Sequence, residues 1–227
     1  MAGKVVVAEY SAEGGPEKPF MAPDGHEAGP TDAGEYLIAY CAKHRSRRYP
    51  QWSSIPWGSS LKREGDRVSV FLDGRWQDVF KLTGASPDAI ESYHQQLYGI
   101  EKIPDKWVFN DFGHLTCYMF KDRNRNGRLD PATEKIHGEF FHTTPLDEAR
   151  NSLHRPVRLQ PSHGCIHLKP LELDDMVRRQ FMRKGARVVV HRYNELLVRY
   201  PKGSGAAPYE LHFYPGLHKL LIVGRGR

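Results

Sequence analysis

Gln160-Pro161-Ser162-His163-Gly164-Cys165-Ile166-His167-Leu168 is the stretch of sequence around which the other segments of this chain are organised. Cys165 lies between a glycine and an isoleucine, and a histidine stands two residues away on each side. Upstream, His142 ends an apolar run and is followed by Thr143. A cysteine with a histidine distant in sequence is typical of a thiolate nucleophile and its general base. These segments therefore predict a cysteine enzyme, with the remaining chain as scaffold and substrate walls.

The residues of the two segments have distinct predicted roles. The thiol of Cys165 is mostly protonated near neutral pH, so it needs a base, and His142 at the end of a strand would hold that base in a fixed geometry. The carbonyl or hydroxyl of Thr143 would fix the tautomer of the imidazole. Gly164 permits a tight turn, and the backbone amides of Gly164 and Cys165 are the expected oxyanion hole.

Other residues are candidates for substrate binding or for the base. Ser162 and His163 are predicted to fix the loop or to contact the substrate. His137 is a second upstream histidine and a rival base, but it is further from the cysteine, so His142 is preferred. Trp57 lies on a loop with proline and glycine, and it is predicted to line a substrate groove; plain packing is the competing interpretation.

Composition and charge restrict the classes of partner. The chain has 227 residues, 39% of them hydrophobic and 26% charged, so one large domain with a sizeable core is expected. The formal net charge of +6 favours an anionic partner. The densest basic run, residues 43–48, is short and lacks an aromatic stacking motif, so no nucleic-acid binding is expected. No stretch approaches the roughly 18 apolar residues of a membrane span.

Three cysteines are too few for a disulfide scaffold. Cys41 and Cys117 could form one bridge, but buried free thiols are the expectation. The first residues carry no apolar signal-peptide core. We therefore expect a chain that is cytosolic as made, that is exported without a cleaved signal, or whose leader has been removed.

The pattern of turns predicts a mainly β fold with a few helices (α+β), because 16 prolines and 21 glycines imply many loops. Asp73-Gly74 between the apolar runs 68–72 and 76–82 predicts a hairpin of two strands. Ser86-Pro87-Asp88 predicts the start of a helix that ends at Gly99. Other strands are predicted at residues 4–10, 34–40, 107–110, 115–121, 135–142 and 186–192, and helices at 146–152 and 171–184. The tail after residue 195 is predicted to be an extra hairpin packed on the domain.

The segment from Asp122 to Asp130 has acidic and amide residues at alternate positions and a glycine at the sixth. This spacing resembles the first part of a calcium-binding loop. However, the twelfth position is Thr133, and a glutamate, Glu134, follows one residue late. An Asn/Gly-rich turn without calcium is the competing interpretation.

The cysteine motif Ser162-His163-Gly164-Cys165-Ile166 resembles the signature of the L,D-transpeptidase catalytic domain, the YkuD family. Residues 29–36 are similar to the Thr-Pro-x-Gly-x-Phe stretch of that family, and so is the strand after residue 185. The resemblance covers residues 4–193. It implies a β-sandwich or barrel-like sheet with the catalytic cysteine on a loop, in a domain at residues 1–193, and an extension at 194–227 packed on it.

The resemblance also implies an activity. Its substrate would be the stem peptide of peptidoglycan, and the thiolate of Cys165 would attack the carbonyl between diaminopimelate and a terminal D-amino acid. An amine acceptor then gives a 3→3 cross-link, whereas water gives L,D-carboxypeptidase activity. No metal or cofactor is required. The expected site of action is the periplasm or cell envelope, and secretion machinery or an immunity protein would be partners if the protein is an effector delivered into a neighbouring cell.

Three departures from the family pattern concern residue spacing, one side chain and the tail after residue 193, for which the family pattern has no counterpart. Nineteen residues separate His142 from Ser162, more than the mid-teens usual in the family. His167 occupies a position where the family commonly has Asn or Arg. It is predicted to contact the substrate.

Two other classes of protein compete with this interpretation. A zinc hydrolase would use ligands drawn from the thiol and four histidines, which are His137, His142, His163, Cys165 and His167, but none of their spacings matches a common zinc motif. A cell-wall-binding or calcium-binding module without catalysis would depend on the loop at Asp122.

Overall fold

The structure, a computed structural model, describes residues 3–46 and 50–226. Its strands are β1 (Lys4–Glu13), β2 (Phe20–Met21), β3 (Glu27–Ala28), β4 (Gly34–Ala42), β5 (Leu61–Glu64), β6 (Arg67–Leu72), β7 (Arg75–Asp78), β8 (Thr116–Phe120), β9 (Phe141–His142), β10 (Ile166–Leu168), β11 (Arg187–Val190), β12 (Gly205–Tyr214) and β13 (Lys219–Gly226). Its α-helices are α1 (Val79–Thr83), α2 (Pro87–Tyr98), α3 (Pro145–Ser152) and α4 (Pro170–Arg178).

A closed barrel is the main sheet. Its strand order is β1-β10-β9-β8-β4-β11-β12-β13, and β13 pairs with β1 to complete the circle. The mainly β fold with a barrel-like sheet predicted from the sequence is therefore confirmed. Alternate residues of β11 are buried, as expected for a strand with one face on a core. β10 begins one residue after Cys165, so the cysteine is the last loop residue before a barrel strand.

The tail contributes two barrel strands. β12 runs parallel to β11, from the pair Arg187 and Glu210 to the pair Val190 and Phe213. β13 is antiparallel to both β12 and β1. An apolar cluster forms where these strands meet, and its buried members are Val6, Tyr214, Leu221 and Val223. The domain boundary at residue 193 stays a prediction, and the residues after it supply part of the barrel itself.

The chain divides into two compact units. The first consists of residues 1–41, 117–141 and 159–227, and the second of residues 42–116 and 142–158. The second has its own apolar core, which includes Trp107 and Phe109, both fully buried. It also contains the three-stranded sheet β5-β6-β7 and the helices α1, α2 and α3.

Local turn signals predicted several elements of the second unit correctly. β6 and β7 are joined by Asp73 and Gly74, which both have positive φ angles of 52° and 78°, as a tight hairpin turn requires. In α2 the Ser86 hydroxyl accepts a hydrogen bond from the Ala89 amide, and Gly99 ends the helix in the left-handed conformation. α3 matches the helix predicted at residues 146–152.

Other predicted elements have different bounds. The strand predicted at 135–142 is regular only at β9; before it, Ile136 forms a single isolated bridge with Phe120 of β8. The second hairpin strand stops at Asp78, whose carboxylate accepts from the Lys81 amide and starts α1. The helix predicted at 171–184 ends at Arg178, since Gln180 has a φ angle of +62°. No strand forms at 107–110 within the described chain.

Cys41 and Cys117, both in the first unit, form a disulfide bond. The expectation of two buried free thiols was therefore wrong. Sequence spacing gave no signal, because the two residues are 76 positions apart and meet only when the strands β4 and β8 become neighbours.

Two further expectations concern membranes and the basic run. Among the described residues, no helix is both long and apolar enough to cross a bilayer. In the basic run, Arg45 pairs with Asp73 at 3.1 Å, whereas Arg47 and Arg48 lie outside the described residues.

Candidate functional site

The loop before β10 is held by the hydroxyl of Ser162. This hydroxyl donates to the Cys165 carbonyl and accepts from the Gly164 amide at 2.9 Å. The Ser162 amide donates to the Gly14 carbonyl at 3.0 Å, which joins the loop to the segment after β1. Ser162 thus has an observed bracing role within the loop, while its predicted contact with a substrate stays a prediction.

Gly164 is required by its backbone conformation and by its neighbour. Its φ angle is +128°, where other residues are strained, and a Cβ there would lie 2.8 Å from Glu139 Oε1. Its amide is already bonded to the Ser162 hydroxyl, so the predicted oxyanion hole would need that hydroxyl to move. The role of Gly164 in stabilising an oxyanion stays a prediction.

The thiol of Cys165 is half-buried, and its Sγ lies 4.0 Å from the Gly138 carbonyl oxygen. Burial raises the pKa of this thiol to about 12, a backbone hydrogen bond from Phe140 opposes the rise, and the charge of Glu139 adds to it. A thiol with such a pKa carries almost no thiolate at neutral pH. Attack by this sulfur therefore requires a base that removes the proton during the reaction.

The loop is also supported from the motif at residues 29–36. The Thr31 hydroxyl accepts from the Gly15 amide at 3.0 Å, and Thr31 is almost fully buried. Tyr193 donates its hydroxyl to the Gly15 carbonyl and accepts from the Thr31 amide. A Cβ on Gly15 would lie 3.0 Å from the Gly164 nitrogen, so the backbones pack directly against each other. The motif thus acts as a structural support of the cysteine loop.

The two histidines that flank Cys165 have different surroundings. His163 is exposed, and its Nε2 lies 3.2 Å from the Asp24 carboxylate. His167 is buried in β10, and its Nδ1 donates to the Gln160 carbonyl at 2.9 Å. Burial lowers the pKa of His167 to about 4, so its ring is neutral at neutral pH and attracts a substrate carboxylate weakly. The substrate contacts predicted for both histidines stay predictions.

Acid is expected to destabilise the protein through His167. Its pKa is near 6.5 when unfolded and about 4 when folded, so protons bind the unfolded chain first. The stability that the neutral ring provides is complete above pH 6.5 and is lost as the pH falls towards 4. Between pH 7 and pH 5 the free energy of unfolding should fall, and His167→Asn should make this fall smaller by roughly 1–2 kcal/mol. Urea unfolding at both pH values measures this, and exposed His154→Asn, the matched control, should leave the loss unchanged.

His137, the rival base, faces carboxylates. Its Nε2 lies 3.4 Å from Glu139 Oε2 and 3.7 Å from Asp32 Oδ2, and its ring contacts Tyr36. One group of three or more His, Cys, Asp or Glu side chains in the described chain is close enough to share a metal ion. It consists of Asp32, His137 and Glu139. The zinc alternative had grouped His137 instead with the histidines and thiol of the cysteine motif.

His142 is the last residue of β9, and its ring tautomer follows from one contact. Its Nδ1 lies 2.7 Å from the Thr143 carbonyl oxygen. A carbonyl only accepts, so Nδ1 carries the hydrogen and Nε2 is the basic nitrogen of the neutral ring. The ring of Phe112 packs edge-on against the imidazole, with 4.9 Å between centroids. This arrangement is what a general base acting through Nε2 needs.

Glu148 of α3, which sequence reasoning missed, holds Thr143 in place. Its buried carboxylate accepts from the Thr143 hydroxyl, the His114 imidazole and the His114 amide. Gly113 makes room for this cluster, because a Cβ there would lie 1.8 Å from Thr143 Oγ1. The only sequence signal was an acidic residue in the first turn of a predicted helix, a pattern that also serves the helix dipole.

Removal of this carboxylate is expected to destabilise the fold. Glu148→Ala leaves the buried Thr143 hydroxyl and the His114 amide without their acceptor, which should cost about 1–3 kcal/mol of unfolding free energy. Urea unfolding measures the loss. Glu101→Ala, an exposed glutamate of the same unit, is the control and should change stability by less than about 0.5 kcal/mol. Equal effects of both changes would contradict the assigned role of Glu148.

Trp57 and the Asp122 loop were the remaining candidates. Trp57 is half-buried on the loop before β5, in the second unit, and its role in substrate binding stays a prediction. In the other loop, Asp122 accepts from the Asn126 and Gly127 amides, and Glu134 accepts from the Arg123 amide. These oxygens stabilise the turn itself, and calcium binding by this loop stays a prediction.

The thiol of Cys165 is half-buried before a barrel strand, and one contact fixes the tautomer of His142. These two features fit the class of cysteine acyl-transfer enzymes. The chain matches the family model of the L,D-transpeptidase catalytic domain, YkuD, over residues 2–190. It therefore belongs to this family of peptidoglycan enzymes, as the cysteine motif predicted. Comparisons with curated proteins and with solved structures gave no match.

Proposed function

We propose that this protein is an L,D-transpeptidase of peptidoglycan, with Cys165 as nucleophile and His142 as general base. Nε2 of His142 takes the thiol proton while Sγ bonds to the carbonyl carbon that precedes the terminal D-amino acid. The C–N bond then breaks, and the imidazolium returns the proton to the leaving amine. The resulting thioester is attacked by an acceptor amine, which restores the thiol and forms a 3→3 cross-link.

The observation that carries this proposal is the environment of Cys165 in a chain of this family. The thiol is half-buried immediately before β10, and its raised pKa makes a base necessary. His142 has Nδ1 bound to the Thr143 carbonyl and so presents a basic Nε2. His137, the other upstream histidine, has its Nε2 near the Glu139 and Asp32 carboxylates.

The proposed place of action is the cell envelope. The substrate of the family is found there, and the bond between Cys41 and Cys117 is of a kind that persists in oxidising compartments. The net charge of +6 suits a polymer rich in carboxylates.

Incubation with defined tetrapeptide muropeptides followed by mass analysis tests the reaction. A joined dimer that has lost one D-amino acid is the expected product. Loss of the D-amino acid without a dimer would replace the proposal with L,D-carboxypeptidase activity. No turnover by a folded sample whose Cys165 can be titrated would overturn both.

The same assay separates thiol from zinc chemistry. Iodoacetamide should abolish turnover by alkylating Cys165, while EDTA should leave it unchanged. The opposite result would favour the zinc hydrolase.

A further inference from the structure

A cavity of about 380 Å³ in the first unit has Gly138, a neighbour of the Cys165 thiol, in its lining. It is lined by one continuous region of the chain, whose lining residues are Lys121, Arg123, Thr133, Glu134, Lys135, Ile136, His137 and Gly138. The carbonyl oxygen of Gly138 lies 4.0 Å from Sγ of Cys165. A peptide that presents a carbonyl carbon to Sγ therefore has this cavity within reach of its neighbouring groups.

The lining carries three cations without carboxylate partners. Lys121, Arg123 and Lys135 are exposed, and none of them forms an ion pair within residues 3–46 and 50–226. The Lys121 ammonium lies over the ring of Tyr36, 5.2 Å from its centroid, which keeps that charge at the cavity wall. Unpaired cations on a concave surface attract anions, because the concave shape concentrates their field.

The one carboxylate in the lining does not neutralise these cations. Glu134 is buried, and its two oxygens accept from the Arg123 amide at 2.7 Å and from the Asp130 amide at 3.0 Å. Its charge is therefore compensated by backbone amides of the wall. The nearby Glu139 and Asp32 carboxylates are outside the lining and lie against His137.

We propose that this cavity binds a free carboxylate on the amino-terminal side of the scissile bond, that of D-Glu or of diaminopimelate, an inference that rests on the proposed function. Arg123 offers a planar pair of N–H donors that suits a carboxylate, and Lys121 and Lys135 add point charges. The Thr133 hydroxyl is a further donor in the lining. The cavity would thus select stem peptides with ionised rather than amidated carboxyl groups.

Binding to the Cys165→Ala protein tests the subsite without turnover. The probes are the tetrapeptide L-Ala-γ-D-Glu-meso-diaminopimelate-D-Ala and the same peptide amidated at the D-Glu and diaminopimelate carboxyl groups. Calorimetry should show the free acid binding about tenfold more tightly, with the difference shrinking at high salt. Arg123→Gln and Lys135→Gln should each weaken binding of the free acid several-fold and leave the amidated peptide unaffected.

Lys184→Gln is the matched control, since Lys184 is exposed in the same unit and lies outside the cavity lining. It should leave both affinities unchanged. Equal affinity for the two peptides, no measurable binding of the free acid, or equal losses in the Lys184 and Arg123 variants would each overturn the subsite. Turnover of muropeptides by the unmodified protein is measured separately, so a failure of the subsite is distinguished from a failure of the proposed reaction.

Discussion

Replacement of Cys165 with alanine is expected to lower turnover of muropeptides by about 10⁴-fold or more, because no other group in the proposed mechanism can form the thioester. Mass analysis of the reaction measures it, and intact-protein mass spectrometry should detect an acyl adduct only when the thiol is present. The variant should unfold at nearly the same urea concentration as the parent, since a half-buried sulfur contributes little to the core.

Variants of His142 and His137 test which of the two histidines is the general base. His142→Gln should lower the rate by about 10²–10⁴-fold, as loss of a general base does, whereas His137→Gln should keep most of the activity. His154→Gln changes an exposed histidine and serves as the matched control. If His137→Gln proves the more damaging change, the assignment of the base is reversed.

Reduction of the bond between Cys41 and Cys117 is expected to lower the free energy of unfolding by about 4 kcal/mol. The chain-entropy estimate for a loop closed across 76 residues gives this value, because the reduced unfolded chain regains the freedom that the bond removes. Urea unfolding of the Cys165→Ala protein with and without dithiothreitol measures the loss, since in that variant no other thiol can react.

The double variant Cys41→Ala/Cys117→Ala is the control for the reductant. It should unfold at a lower urea concentration than the parent and be insensitive to dithiothreitol. An identical midpoint for the oxidised and reduced Cys165→Ala protein would contradict the stabilising role of the bond.

Elements with local turn chemistry could be predicted from the sequence. The Asp73-Gly74 hairpin and the helix between Ser86 and Gly99 follow from residues that dictate their own backbone angles. The family and the mainly β fold could be predicted because the cysteine motif is compact and specific. In each case the information lies within a few neighbouring residues.

What could not be predicted depends on partners distant in sequence. Glu148 matters because α3 brings it to Thr143 and His114, and the disulfide forms because two strands become neighbours. Burial decided the charge of His167, which its position in the motif did not reveal. The cationic cavity likewise arises from the shape of residues 121–138 rather than from a dense run of basic residues.

Pairing of the first strand with the last also has a consequence for the kinetics of folding. Lys4 of β1 is the register partner of Arg225 of β13. This strand pair, the seam of the barrel, therefore joins residues that are further apart in sequence than those of any other strand pair in the sheet. Residues 219–226 must be synthesised before the seam can form, and contacts between residues so distant in sequence form slowly. Until then β1 lacks its β13 partner, and an unpaired strand edge is a feature that promotes aggregation during folding.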